Sequence, residues 1–231
     1  MTSTAQPDVP SIDRQHLLVI GAGPGLGAAI ARRFAKGGYR VTLLARDVRR
    51  LNDLARDLHT TGAIVGTVAA DASDPENFRA TLGSVYAASG APGLMVYNAV
   101  LPAPDTLLES DIAHLQQAYD VDVISAIVAA RVAAQAMRTA GGGTILFTGG
   151  GFADRPVPSM ATVSLGKAAL RSAATMLGDE LAPHAVRVAS ITVAGVIAED
   201  TPFSPARIAD AYWRIARSEG TWQTEFRFEG T

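Results

Sequence analysis

A glycine turn set between two apolar segments constrains this chain more than any other stretch. The run His16-Leu17-Leu18-Val19-Ile20 enters Gly21-Ala22-Gly23-Pro24-Gly25-Leu26-Gly27, and a helical pattern follows from Ala28 to Ala35 before Gly37-Gly38. A buried strand, a glycine turn and a helix N-terminus are the parts of a dinucleotide site. Glycines let the backbone turn sharply and come close to a pyrophosphate, whose charge sits at the positive end of the helix. The spacing is Gly-x-x-x-Gly-x-Gly over Gly21, Gly25 and Gly27, because position 26 is Leu. Gly21, Gly25, Leu26 and Gly27 are therefore expected to face a dinucleotide.

Strands and helices alternate from this turn onward. Strands are expected at Leu17–Ile20, Arg40–Ala45, Ile64–Ala69, Leu94–Asn98, Thr144–Thr148, Val186–Val193 and near Glu225–Phe228. Helices are expected from about Pro24 to Lys36, Asp47 to Thr60, from Ser73-Asp74-Pro75-Glu76 onward, Glu109 to Arg138, Met160 to Leu181, and Pro205 to Arg217. Ser or Asp caps a helix and Pro suits its first turn, which fixes the third start. Repeated β-α units of this length predict a single-domain α/β fold of Rossmann type. Its parallel sheet, of about seven strands, is doubly wound with helices on both faces. The domain is expected over residues 15–231, with polar, proline-bearing residues 1–14 as a tail.

Composition narrows the function classes. The net charge is −2 and hydrophobic content 48%, so neither nucleic acid nor an anionic membrane surface is an expected partner. The longest apolar stretch, Val121 to Met137, contains Asp122 and Arg131, which makes it a core helix instead of a membrane span. There is no cysteine, which excludes disulfides and thiol chemistry and leans towards a cytoplasmic location. No metal site is expected.

The end of the second strand selects the dinucleotide. A carboxylate there bonds the ribose 2′-hydroxyl of NAD, whereas a small residue followed by Arg accepts a 2′-phosphate. The chain reads Ala45-Arg46-Asp47, so NADP(H) is favoured over NAD(H) through Arg46, and Asp47 is left as a helix cap. Asp71 and Ala72, just past the third strand, are placed beside the adenine.

These residues resemble the short-chain dehydrogenase/reductase family from about residue 15 to the end. Its glycine motif matches Gly21, Gly25 and Gly27, and its acidic residue after strand three matches Asp71. Its Asn-Asn-Ala-Gly reads here as Tyr97-Asn98-Ala99-Val100, and its Pro-Gly after strand six as Ala194-Gly195. The resemblance implies an oxidoreductase acting on a small carbonyl or alcohol, with Asn98, Ala99 and Gly195 in the cofactor site. It also implies four catalytic groups: a Tyr, a Lys four residues later, a Ser on strand five and an Asn in the long helix. Lys167 stands in place, but Val163 occupies the Tyr position, Gly150 the Ser position and Asp122 the Asn position.

Lys167 is one of two lysines against eighteen arginines, which suits a compact ammonium holding the nicotinamide ribose. Asp122 is the named alternative proton source, together with water or the substrate. The segment Val196–Phe203 is short for a lid, with Thr201 expected near the cofactor and Tyr97, Phe152, Met160 and Phe203 as candidates for the pocket rim. Trp213 and Trp222 are placed in the core or at a subunit interface. The long helix and the Lys167 helix are both rich in Ala, which permits close helix–helix contact. The resemblance implies that these two helices build a two-fold interface, giving a homodimer or homotetramer. Two functions stay open: a reductase with an altered proton source, and a dinucleotide-binding protein without redox turnover, acting as sensor or partner subunit.

Overall fold

Alternate residues of the apolar strands point to opposite faces, and here both faces are covered. In the computed structural model, which describes residues 13–231, Leu17 and Val19 join one buried cluster while Leu18 and Ile20 join a second. Strands buried on both sides read as continuous apolar runs, and such sheets are parallel. The strands are β1 (Asp13–Ile20), β2 (Arg40–Ala45), β3 (Val65–Ala69), β4 (Pro92–Tyr97), β5 (Gly143–Gly150), β6 (Val186–Val193) and β7 (Glu225–Phe228). They form one sheet in the order β3-β2-β1-β4-β5-β6-β7, with every pair parallel.

One face carries α1 (Leu26–Lys36), α2 (Val48–His59) and α7 (Pro205–Ala216). The other carries α3 (Pro75–Ser89), α5 (Ser125–Thr139) and α6 (Ala161–Leu181), with α4 (Ile112–Tyr119) leading into α5. Two starts follow the expected chemistry. Asp47 accepts from the amides of Arg49 and Arg50 to cap α2, and Asp74 accepts from Asn77 to cap α3 with Pro75 behind it. The N-terminus of α6 is capped from outside its own segment, by Asp105, which accepts from the Thr162 amide at 3.1 Å. The Thr162 hydroxyl and His114 also bond this carboxylate. Burial pushes Asp105 up, but these bonds outweigh it and hold the carboxyl below the usual range.

Three expectations need correction. The first strand begins at Asp13, not Leu17, because Asp13 pairs with Pro92 and its carboxylate takes the Arg40 guanidinium at 3.2 Å. Asp13 and Arg14 thus belong to the sheet, while the rest of the expected tail, residues 1–12, lies outside the described residues. The expected long helix from Glu109 to Arg138 is two helices joined by a π-helical segment, Asp120–Ile124. The fifth strand does not stop at Thr148. Gly149 and Gly150 continue it, paired with Thr192 and Val193.

Candidate functional site

The strand order reverses beside β1, so the carboxyl ends of β1 and β4 diverge there and leave a crevice. A cleft of about 350 Å³ occupies it. Its floor is the glycine turn. Gly21 has φ +83°, and a Cβ on it would lie 2.4 Å from the Ala99 amide nitrogen. A Cβ on Gly27 would lie 2.4 Å from the Gly21 carbonyl oxygen. Both positions are closed to any side chain, which brings the turn against β4 and the start of α1. Gly25 is different: a Cβ there meets no protein atom within 4 Å. It faces open space at the N-cap of α1, where the first amides carry no side-chain cap.

The cleft gathers Gly21, Arg46, Asp71, Ala72, Asn98 and Ala99 of the expected cofactor residues. Arg50 lines it as well. Arg50 was not among the expected residues, although its place in the first turn of α2, four residues after Arg46, was the available signal. Asp47 is occupied, by capping α2 and by pairing with Arg50 at 3.3 Å. Asp71 accepts from the Ser73 amide at 2.9 Å, and the Ala72 carbonyl takes the Ser125 hydroxyl at 2.7 Å, which ties this wall to α5. Leu26, Gly25 and Gly27 lie outside the cleft lining; Leu26 is buried in the core instead of facing a ligand.

Asn98 fastens the turn. Its Nδ2 donates to the Gly21 carbonyl at 2.9 Å, and its Oδ1 accepts from the Thr148 hydroxyl at 3.0 Å. Thr148 also links the second half of the site, because its carbonyl takes the Lys167 Nζ at 2.7 Å. Lys167 is buried. Desolvation lowers its pKa, and nearby Asp122 opposes that shift. Gly150 sits directly on the Lys167 stem: a Cβ there would be 3.6 Å from Lys167 Cγ, an ordinary contact. Val163, one turn before Lys167 on the same face, is buried yet packs in neither core cluster.

Asp122 lies in the π-helical segment, whose extra residue turns its carboxylate inward. Such segments gather at functional sites. Oδ1 accepts from the Leu101 amide at 2.7 Å, and Gly166 of α6 leaves the space the side chain fills. Burial pushes the carboxyl up to about 6, against the pull of the Leu101 amide and Lys167. Asp122 borders a groove of about 510 Å³ between α4 and α6, which is separate from the dinucleotide cleft.

Other expected residues have local work. The Thr201 hydroxyl donates to the Ala198 carbonyl and accepts from the Phe203 amide. Gly195 is covered by the Phe203 ring, which itself packs edge-on against Phe228. Phe203 therefore belongs to the packing beneath the lid segment. Tyr97 is no rim residue either, being fully buried with its hydroxyl on the Val121 carbonyl at 2.5 Å. Phe152 and Met160 are half-buried. Trp213 packs on Phe34, Tyr39 and Gly37, and Trp222 donates to the Val188 carbonyl.

Residues 15–206 match the short chain dehydrogenase family. The chain belongs to that family. Oxidoreductases of this family bind nicotinamide dinucleotides. An uncharacterized oxidoreductase of Streptomyces coelicolor is 31% identical over 203 residues, covering 87% of this chain and 80% of that one. L-sorbose reductase from Gluconobacter frateurii, solved with NADPH and L-sorbose, superposes with a TM-score of 0.87 at 26% identity, over 96% of this chain and 97% of that one. A metagenomic short-chain oxidoreductase solved with NADP gives 0.83 at 28%, over 94% and 98%. Among the described residues no helix is long and apolar enough to cross a membrane, and no His, Cys, Asp or Glu cluster could hold a metal.

Proposed function

We propose that this short chain dehydrogenase binds NADP(H) in preference to NAD(H) and works without the family's Ser and Tyr. The observation that carries the cofactor reading is the pair of guanidinium groups, Arg46 and Arg50, on the cleft wall at the end of β2. Two cations on the same cleft wall suit a 2′-phosphate, to which Arg binds in bidentate fashion. Asp47 does not oppose it, since its carboxylate is spent on the α2 amides and on Arg50. Two structural relatives whose crystals contain NADP or NADPH support the same reading.

Within this reading, Gly21 and the α1 amides receive the pyrophosphate, with Asp71 and Ala72 beside the adenine. Asn98 and Ala99 hold the turn. Lys167 holds the nicotinamide ribose, while Gly195 and Thr201 border the nicotinamide end through the backbone. The bound dinucleotide supplies hydride chemistry at the carbonyl or alcohol carbon. The chain's own residues must then supply the proton. Val163 and Gly150 cannot, so the proposed sources are Asp122, which would act from the neighbouring α4–α6 groove through an intervening water, a water alone, or the substrate. The Asp122 carboxyl, raised to about 6, is protonated in a useful fraction only below that pH. The site is accordingly a reductase centre for a small carbonyl compound with an altered proton source. The Ala-rich faces of α5 and α6 are its proposed self-association surface, giving a homodimer or homotetramer, and the proposed location is the cytoplasm.

One observation favours a second reading. A buried valine where the phenol stands leaves no acid on the Lys167 face of α6, as a dinucleotide sensor or partner subunit without turnover would permit. A screen of carbonyl and alcohol substrates at the nicotinamide absorbance separates the two. NADPH consumption with a carbonyl compound supports the reductase. Tight NADPH binding with no turnover across the screen favours the sensor.

A further inference from the structure

Tyr212 is buried to the last atom in α7, far along the chain from the glycine turn. Its hydroxyl lies 2.8 Å from the Thr148 hydroxyl. The direction of the bonds follows from a count of hydrogens. Asn98 donates through Nδ2 to Gly21, so Oδ1 is the face it turns to Thr148. Thr148 has one hydroxyl hydrogen, and it goes to that Oδ1. Tyr212 must therefore donate to Thr148. Burial pushes the Tyr212 phenol up, which keeps this proton in place. The result is a one-way relay, Tyr212 to Thr148 to Asn98 to the Gly21 carbonyl, in a buried region where an unmade bond is costly.

We propose that Tyr212 is a positioning residue for the dinucleotide, acting through Thr148 and Asn98 on the glycine turn and through the Thr148 backbone on Lys167. Without its phenol, the Thr148 hydroxyl loses the donor that fixes its rotation, so the bond it gives Asn98 Oδ1, which sets the end of that amide facing Gly21, is no longer held in one geometry. Gly21 has little room to adapt, because even a Cβ added to it would lie 2.4 Å from the Ala99 amide nitrogen. A misaligned turn weakens a ligand that sits on its amides. Lys167, 2.7 Å from the Thr148 carbonyl, moves with the same node. The inference rests on reading the cleft as a dinucleotide site.

The test is calorimetric titration with NADPH of wild type, Tyr212→Phe, Thr148→Val, Thr148→Ser and the double variant Tyr212→Phe/Thr148→Val, each with a thermal melt. Tyr212→Phe keeps the ring and removes one oxygen. Its NADPH affinity should fall about tenfold, the loss of one buried hydrogen bond. Thr148→Val should lose as much, Thr148→Ser should keep wild-type affinity, and the double variant should be no weaker than Thr148→Val alone. A lower melting temperature with unchanged affinity would make Tyr212 merely structural and overturn the proposal, as would additive losses in the double variant. The Thr148 pair decides the matter should Tyr212→Phe not fold: equal affinity in Val and Ser variants refutes the relay. Failure of wild type to bind NADPH or NADH refutes the cleft reading and the relay with it.

Discussion

Substitution of two glycines in one turn, Gly25 and Gly27, should separate stability from cofactor binding. A Cβ at Gly27 would stand 2.4 Å from the Gly21 carbonyl oxygen and 3.0 Å from Ala22 Cα. Ordinary contact begins near 3.4 Å, so Gly27→Ala must displace rigid backbone by roughly 1 Å, an overpacking cost of about 1–3 kcal/mol. The gain in helix propensity, about 0.5–1 kcal/mol, offsets part of it. For a chain of this length each net kcal/mol lowers the melting temperature by roughly 2–4 °C. A Cβ at Gly25 meets no protein atom within 4 Å, so Gly25→Ala should cost about 1 kcal/mol or less, through its N-cap position. The new methyl instead stands where a pyrophosphate must approach the first amides of α1. Gly25→Ala should therefore melt within a few degrees of wild type, yet bind NADPH at least about tenfold more weakly, an apparent loss of 1.4 kcal/mol. Differential scanning fluorimetry and calorimetric titration read the two quantities. Wild-type NADPH affinity in Gly25→Ala would refute the placement of the pyrophosphate on this turn.

Four further outcomes follow from the same structure. His16 is buried and its pKa is lowered by burial, then by Arg40, to about 4, so between about 6.5 and 4 the unfolded chain takes a proton that the folded chain refuses. Stability should fall by up to about 3 kcal/mol as pH drops through that window, and His16→Leu should flatten the slope in urea titrations at several pH values. Gly150→Ser is sterically free, since a Cβ at Gly150 makes an ordinary 3.6 Å contact with Lys167, while Val163→Tyr at a buried position should cost at most about 1–3 kcal/mol; the double variant should gain carbonyl reduction with NADPH. If wild type turns over through Asp122, its rate should decline above about pH 6, where the carboxyl loses its proton, and Asp122→Asn should remove that decline; a pH profile unchanged by the substitution would remove Asp122 as proton source. Light scattering at micromolar concentration should give a dimeric or tetrameric mass, and a monomeric mass would count against the α5–α6 interface.

The sheet could be read along the chain because its signals are local. The central strands are buried on both faces, so their apolar runs stand out, and Asp47 and Asp74 cap their helices from the preceding residue. The break in the long helix is another matter. One inserted residue at Asp120–Ile124 leaves the apolar periodicity almost unchanged. What holds the segment, the Leu101 amide on Asp122, the Tyr97 hydroxyl on Val121 and the Ser125 hydroxyl on Ala72, comes from distant segments. Gly149 and Gly150 looked like a strand end because glycine disfavours strands, but pairing with β6 carries them on. The Asp105 cap on α6 and the Tyr212 contact with Thr148 span 57 and 64 residues. No spacing rule within either segment points to them. Arg46 stood out as an Arg after a small residue at a strand end and Lys167 as a charge inside an apolar helix, whereas Asp122 was legible as a residue but not in its orientation towards the α4–α6 groove.

The central claim is that the cleft at the β1–β4 switch point takes NADP(H) on Arg46 and Arg50. Calorimetric titration of wild type and Arg46→Ala with NADPH and NADH tests it most directly. Wild type should bind NADPH more tightly than NADH. Arg46→Ala should weaken NADPH by about tenfold or more, as expected for a lost charge-assisted bidentate contact, and leave NADH nearly unchanged. Equal affinities in wild type, or NADH the tighter ligand, would contradict the account.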